Sequence, residues 1–438
     1  MLFFYAVNTI NLYNEVVLMD SFFHSVTLNA EKCKGCTNCI KRCPTEAIRV
    51  RDGKAKIITE RCIDCSVCVK VCPYHAKRAL SDPFDIINKF KYKIALPAPV
   101  LYGQFNNLDD IDYVLNGLLQ MGFDDVYEVS RAAELVSEAT RKLISQNSLP
   151  LPVISSACPA VIRLIRVRFP SLCDNVLPLK APMETAAINA KTEAAKKTGI
   201  PIEDIGAFFI TPCAAKVTDI RAPIGIEKSY VDGAIAISEI YPRLSSIMNK
   251  LTELKPIANS GIIGVGWAGI GGEASALLDD KYLAADGIEN VIDVLEQLED
   301  EHLSELDFIE LNACPGGCVG GIFNVENPYI SKARIQRLRK YLPVSCNHLD
   351  GDIPDSMKWT EDLKFSPVMA LADNIVDAIE LMGKIDALTK SLPGLDCGSC
   401  GAPTCRALAE EIIKGQSKES SCIFKIKEKA INYNITLD

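Results

Sequence analysis

The sequence has little of what marks a nucleic-acid binder, a secreted protein or a membrane protein. Basic residues are outnumbered, 47 Lys and Arg against 56 Asp and Glu, leaving a net charge of −9. With no basic stripe to neutralise phosphates, no nucleic-acid partner and no anionic membrane surface is expected. A spanning helix needs about 20 mostly apolar residues, and no such run occurs. The opening stretch MLFFYAVNTINLYNEVVLMD is apolar in places, but Asn8, Asn11, Asn14 and Glu15 interrupt it. A signal peptide starts basic, yet no Lys or Arg precedes Lys32. The expectation is a cytoplasmic protein that starts at Met19, with residues 1–18 an extension of the gene model. Histidine is scarce too. His24, His75, His302 and His348 show no ligand spacing, so hydrogen-bonded or solvated roles are expected for them.

Cysteine, by contrast, is abundant: 18 in 438 residues. Sixteen fall into groups with ligand-like spacing, which favours metal over disulfides and implies a reducing, intracellular, oxygen-poor setting. The length allows two to four domains at roughly 100–200 residues each. The motifs divide it into a ferredoxin-like region at 19–85, a central region at 86–365 and a C-terminal region at 366–438.

CKGCTNCIKRCP (33–44) and CIDCSVCVKVCP (62–73) both read C-x2-C-x2-C-x3-C-P, an internal repeat offset by 29 residues. This is the two-cluster bacterial ferredoxin pattern, in which the fourth cysteine of each run ligates the other cluster. One 4Fe–4S cluster would use Cys33, Cys36, Cys39 and Cys72, the other Cys62, Cys65, Cys68 and Cys43. Such a module relays electrons and performs no bond chemistry. Near the other end, Cys397, Cys400, Cys405 and Cys422 follow a C-x2-C-x4-C-x16-C spacing. Four thiolates suit either a 4Fe–4S cluster or structural zinc. RALAEEIIKGQSKE and the upstream NIVDAIELMGKIDALTK have helical character and should pack together, giving a small, mostly helical domain.

Between these regions short apolar runs alternate with helical stretches. YKIALPAPV, DDVYEVS, LPVISSAC, IGAFFITPC, GAIAIS, GIIGVGWA and DFIELNAC read as strands. RAAELVSEATRKLI reads as a helix with Ala132, Leu135, Val136, Ala139 and Leu143 on one face. The alternation predicts an α/β domain of parallel sheet flanked by helices, following an α+β ferredoxin-like domain. Sites in such sheets form beyond the carboxyl ends of strands. Cys158, Cys213 and Cys314 each stand at such an end, and CPGGC adds Cys318, so four thiolates from three strands can meet.

SSACPA, TPCAAK and NACPGGCVGG together resemble the three signature segments of the iron-only (FeFe) hydrogenase catalytic domain. The resemblance extends from Asp20 onward. It implies an H-cluster, a 4Fe–4S cube held by Cys158, Cys213, Cys314 and Cys318 and bridged through Cys318 to a di-iron unit carrying CO, cyanide and a dithiolate. Lys216 matches the lysine that hydrogen-bonds a cyanide, a fitting use for an ammonium beside an anion. In the turnover-efficient members the position of Ala157 is a cysteine that passes protons. Thr211 and Asn312 stand where those members usually have methionines around the di-iron site. These departures, with all four ligands kept, resemble the sensory group D branch, which also carries a C-terminal 4Fe–4S domain. On that resemblance the C-terminal cysteines hold a third 4Fe–4S cluster.

The resemblance implies slow interconversion of hydrogen with protons and electrons, in a hydrogen or redox sensor. It also implies dedicated maturases and a redox or signalling partner protein. Two alternatives remain open: a metabolic hydrogenase with a rerouted proton path, and an iron–sulfur assembly or electron-transfer protein lacking the di-iron unit. Glu134 and Glu138 lie where the family's relay carboxylates sit but read as surface helix residues. GVGWAG (264–269) fits G-x-G-x-x-G only formally, and NAD is not expected. Cys173 and Cys346 read as buried or partly exposed thiols.

Overall fold

The computed structural model describes residues 24–372 and 374–432, so the expected extension at 1–18 lies outside the described residues. The front domain contains β1 (Val26–Leu28), α1 (Asn38–Lys41), β2 (Ile48–Arg51), β3 (Lys54–Ile57), α2 (Val67–Lys70) and β4 (Lys77–Ala79). β1 pairs antiparallel with β4, and β2 with β3. The sequence repeat becomes a structural one. In each half a cysteine loop enters a one-turn helix and then a strand, and Val26, Ile40, Ile48, Ala55 and Ala76 fill the core between the halves.

The middle domain continues with β5 (Tyr92–Pro97), α3 (Asp112–Met121), β6 (Asp125–Val126), α4 (Val129–Ser145), β7 (Val153–Ile154), α5 (Pro159–Arg168) and α6 (Pro182–Thr198). There follow β8 (Ile205–Thr211), α7 (Ala214–Arg221), β9 (Gly233–Ala236), α8 (Ile237–Met248), α9 (Ile262–Gly266) and α10 (Gly272–Ser275). β10 (Tyr282–Asp286), α11 (Ile288–Glu299), β11 (Phe308–Asn312) and α12 (Pro328–Arg339) complete it. These strands form two parallel sheets, ordered β6-β5-β8-β9 and β10-β11-β7.

The apolar run of β8 is explained by burial on both faces. Phe208 and Ile210 pack with α3 and α8, while Ala207 and Phe209 face α4 and α6. In the second sheet Ile309 and Leu311 pack with α5 and α11, and Phe308 packs with Val136 and Ala139 of α4. Helix α4 therefore touches both sheets and fixes one against the other. This is the expected α/β class, two parallel sheets flanked by helices.

Two strand expectations change. GIIGVGWA forms the short helix α9 rather than a strand, because its glycines let it lie directly on α4. A Cβ at Gly264 would sit 2.1 Å from the Ser130 carbonyl oxygen. The formal dinucleotide motif thus falls within and just beyond a helix, not on a strand-to-helix turn. β10, in contrast, was not among the expected strands. It is only half-buried and lies at the sheet edge beside β11.

The C-terminal domain is helical: α13 (Ile375–Ser391), α14 (Cys405–Ile413) and α15 (Ile423–Asn432). α13 packs on α14, and Ile385, Leu392, Ala402, Ala407 and Leu408 make a small core of their own. Among the described residues no helix is long and apolar enough to cross a membrane.

Candidate functional site

Each sheet ends at the same place. Cys158 is the N-cap of α5 and Cys213 the N-cap of α7. At a helix N-terminus the backbone dipole favours negative charge, which suits a thiolate. Cys314 follows β11 by two residues, and Cys318 opens a short 3-10 turn at Cys318–Gly320. Gly317 makes that wrap possible. Its φ is +84°, and a Cβ there would lie 2.4 Å from the Ile270 amide nitrogen.

The four thiols are close enough to repel one another as thiolates. Burial pushes Cys213, Cys314 and Cys318 above the ordinary thiol range, Cys318 to about 12. Mutual repulsion among the four adds to this, while Lys70 acts against it at Cys314 and Lys216 at Cys318. As thiolates, four half-buried groups facing one another are an unfavourable arrangement unless a cationic centre takes them as ligands. The donor set fits iron–sulfur chemistry.

Beside them is a cavity of about 90 Å³. Its walls are almost wholly apolar, including Ala98, Val129, Met183, Phe209 and Trp267, and Lys216 supplies the charged group. Ala157 lines this cavity. Thr211 and Asn312 do not line it. The Thr211 hydroxyl accepts a hydrogen bond from the Cys213 N–H at 3.1 Å, and the Asn312 amide donates to Glu310 at 3.0 Å.

Glu134 and Glu138 depart from the surface expectation. Glu134 is 2% exposed. It accepts hydrogen bonds from the backbone N–H groups of Gly261, Cys346 and Asn347 and from the Asn347 side chain. Glu138 pairs with Lys142 and accepts from the Leu349 N–H. Both fasten neighbouring loops to α4. The alternation of small and apolar residues along α4 hid this, since one carboxylate was placed on the face that the loops cover. His348 lies 3.6 Å from Glu138, and Cys346 is exposed while Cys173 is half-buried.

A different pair of carboxylates approaches the site and escaped the sequence reading. The Ala157 N–H donates to the Ser155 hydroxyl at 3.1 Å, and that hydroxyl donates to Glu273 at 2.6 Å. Glu310 stands beside Glu273, accepting from the N–H groups of Gly271 and Ala274. Burial pushes both above the usual carboxylate range, with repulsion from Glu310 adding to it at Glu273, so between them they keep a proton at neutral pH. Glu184, buried and bonded to Ser229 and the Tyr230 N–H, is raised to about 7 by burial.

In the front domain the cysteines gather in the crossed sets the repeat predicts. Cys39 has Cys33, Cys36 and Cys72 around it, and Cys65 has Cys62, Cys68 and Cys43 around it. Backbone N–H groups of Ala47 and Ala76 donate to Cys43 at 3.2 Å and Cys72 at 3.3 Å, the same contact in both repeats. Lys77 sits between the sets. It is 2% exposed, its Nζ has no hydrogen-bond partner, and its charge acts on Cys39, Cys68 and Cys72. A buried ammonium without a partner is costly, and two anionic iron–sulfur clusters are suitable counter-charges. At the C-terminal end Cys397, Cys400, Cys405 and Cys422 line one small hollow.

Comparison with known proteins agrees with this geometry. Residues 91–276 and 273–322 match the family described as iron only hydrogenase large subunit, C-terminal domain. Residues 25–73 match a 4Fe–4S dicluster domain, and 392–424 a putative Fe–S cluster domain. Iron hydrogenase 1 of Clostridium pasteurianum is 22% identical over 306 residues, covering 57% of this chain and 53% of that protein. The cytosolic Fe–S cluster assembly factor nar1 of Aspergillus flavus is 26% identical over 138 residues, covering 31% of this chain and 24% of that protein. The chain spans about a third to a half of the length of the hydrogenase relatives it matches. A solved [FeFe]-hydrogenase, studied for oxygen inactivation of its H cluster, superposes with a TM-score of 0.50 at 17% identity. It covers 66% of this chain and 97% of that one, a likeness of fold.

Proposed function

The chain belongs to the iron-only hydrogenase family, and we propose that it slowly interconverts hydrogen with two protons and two electrons, as a hydrogen or redox sensor. The observation that carries this reading is the convergence of four half-buried thiols from two sheets beside an apolar cavity holding Lys216. Cys158, Cys213, Cys314 and Cys318 would hold a 4Fe–4S cube, with Cys318 also bridging to a di-iron unit. When bound, that unit supplies the iron at which the H–H bond is broken or made.

The rest is the work of this chain's side chains. Lys216 offers an ammonium to an anionic diatomic ligand in a dry pocket, where such a bond is strong. The apolar walls admit hydrogen and exclude bulk water. Ala157 has no exchangeable side-chain proton, which is the ground for slow turnover. Ser155 and the Glu273–Glu310 pair hold a proton behind Ala157, reached through the Ser155 hydroxyl. Electrons would pass to the Cys62, Cys65, Cys68 and Cys43 set, which is the nearer one. Lys70 beside it donates to the Gly320 carbonyl at 2.7 Å, and Cys65 and Val67 pack in the same core as Cys158 and Cys213. Maturases would install the di-iron unit, and a partner protein would take the electrons or the signal.

A second reading, a cluster-handling protein without the di-iron unit, is favoured by the assembly-factor relatives. Infrared spectroscopy on anaerobically matured protein separates the two. CO and cyanide bands that shift on adding hydrogen are expected. Their absence, in protein with its full cubane iron and matured alongside a working hydrogenase, would establish the second reading.

A further inference from the structure

The C-terminal domain follows the catalytic domain in sequence, but it is fastened to the front domain. The Val50 N–H donates to the Gly401 carbonyl at 2.8 Å, and Arg51 donates to the Cys400 carbonyl at 3.2 Å. Glu411 pairs with both Arg49 and Arg51, and Glu410 with Arg61 at 3.1 Å. The Arg49–Glu411 pair is buried on both sides. A buried pair of this kind contributes more to geometry than to stability. Gly401 has φ +82°, and a Cβ there would lie 2.0 Å from the Val50 carbonyl oxygen. The backbone between two C-terminal cysteines is thus pressed onto β2.

The register of this contact matters. Gly398, next to Cys397, faces Thr37 and Ile40, with a Cβ at that glycine falling 3.3 Å from both side chains. Thr37 lies between Cys36 and Cys39. Lys41 acts electrostatically on Cys397. The front set nearest Cys397 is therefore Cys33, Cys36, Cys39 and Cys72. The other front set faces the catalytic pocket, as described above.

We infer that the C-terminal cysteines hold the outermost relay of an electron wire whose spatial order is C-terminal set, Cys33 set, Cys62 set, catalytic pocket. Each hop oxidises one cluster by one electron and reduces its neighbour by one, with no bond made or broken. An external one-electron carrier exchanges with the C-terminal end. The inference rests on the iron–sulfur part of the function proposed above and is independent of the di-iron unit.

The test is electron paramagnetic resonance of the partly reduced full chain, with iron counted in every sample. Spin–spin broadening of the C-terminal cluster signal is expected. It should vanish in Cys36→Ser and persist in Cys65→Ser. Glu411→Lys, which places a cation against Arg49 and Arg51, should lose the broadening with its iron complete, and it decides the matter if a cysteine variant fails to fold. The wire is overturned by an unbroadened signal in the fully loaded chain, by broadening that depends on Cys65 rather than Cys36, or by broadening retained in Glu411→Lys. None of these outcomes depends on CO or cyanide bands, so failure here is distinguishable from failure of the hydrogenase reading.

Discussion

In each front-domain set three cysteines come from one short loop, Cys33 to Cys39 or Cys62 to Cys68, and only the fourth is borrowed from the other repeat. The central set draws Cys158, Cys213 and the Cys314–Cys318 pair from three strand ends in two sheets, held in register through α4. The first arrangement is local and survives changes elsewhere. The second depends on how two sheets are placed, and its cavity walls come from segments that are not ligands. Walls can therefore change while ligands stay, which is the pattern proposed for Ala157.

The largest effect should come from breaking the distributed set. Cys318→Ser is expected to abolish hydrogen uptake completely while the front-domain cluster signals persist, read by hydrogen consumption and paramagnetic resonance on the same sample. Next is Glu273→Gln, which removes the titratable partner of Ser155 and Glu310. Turnover should fall about 10²-fold, the scale of a lost proton-transfer group. The same variant has a stability signature with a fixed sign. A raised carboxyl pKa means that the folded chain keeps a proton the unfolded chain releases. Wild-type stability therefore falls as pH rises from about 5 to about 8, and Glu273→Gln should flatten that slope in thermal unfolding. A slope unchanged by the substitution would remove Glu273 from the proton-holding role.

The same contrast explains what could be read without a structure. The front sets were legible to the individual cysteine because their spacing is local. The convergence of the central thiols was legible as strand ends, since Cys158, Cys213 and Cys314 each close an apolar run. Glu273 and Glu310 were not, because one lies in the short helix α10 and the other in β11, and only the fold brings them to Ser155. GIIGVGWA misled for a related reason: in a short apolar run periodicity cannot tell strand from buried helix, and its close packing on α4 is a tertiary fact.

Restoring a relay group to the cavity wall should have a smaller effect, of opposite sign. Ala157→Cys is expected to raise turnover about tenfold or more, at the modest end of what proton transfer contributes, in protein whose infrared bands show the di-iron unit intact. Unchanged turnover would place the slow step away from the missing thiol.

The smallest effect on chemistry is expected at Glu134. If it served as a relay, neutralising it would slow the reaction much as at Glu273. Its oxygens instead receive three backbone N–H groups and the Asn347 amide, all from loops lying on α4. Glu134→Gln keeps one acceptor and turns an NH2 group toward donors, leaving buried N–H groups without partners. A loss of about 2 kcal/mol in unfolding free energy is expected, with hydrogen turnover per intact site unchanged. A fall in turnover at wild-type stability would return Glu134 to the proton path and give the distributed site a second entrance.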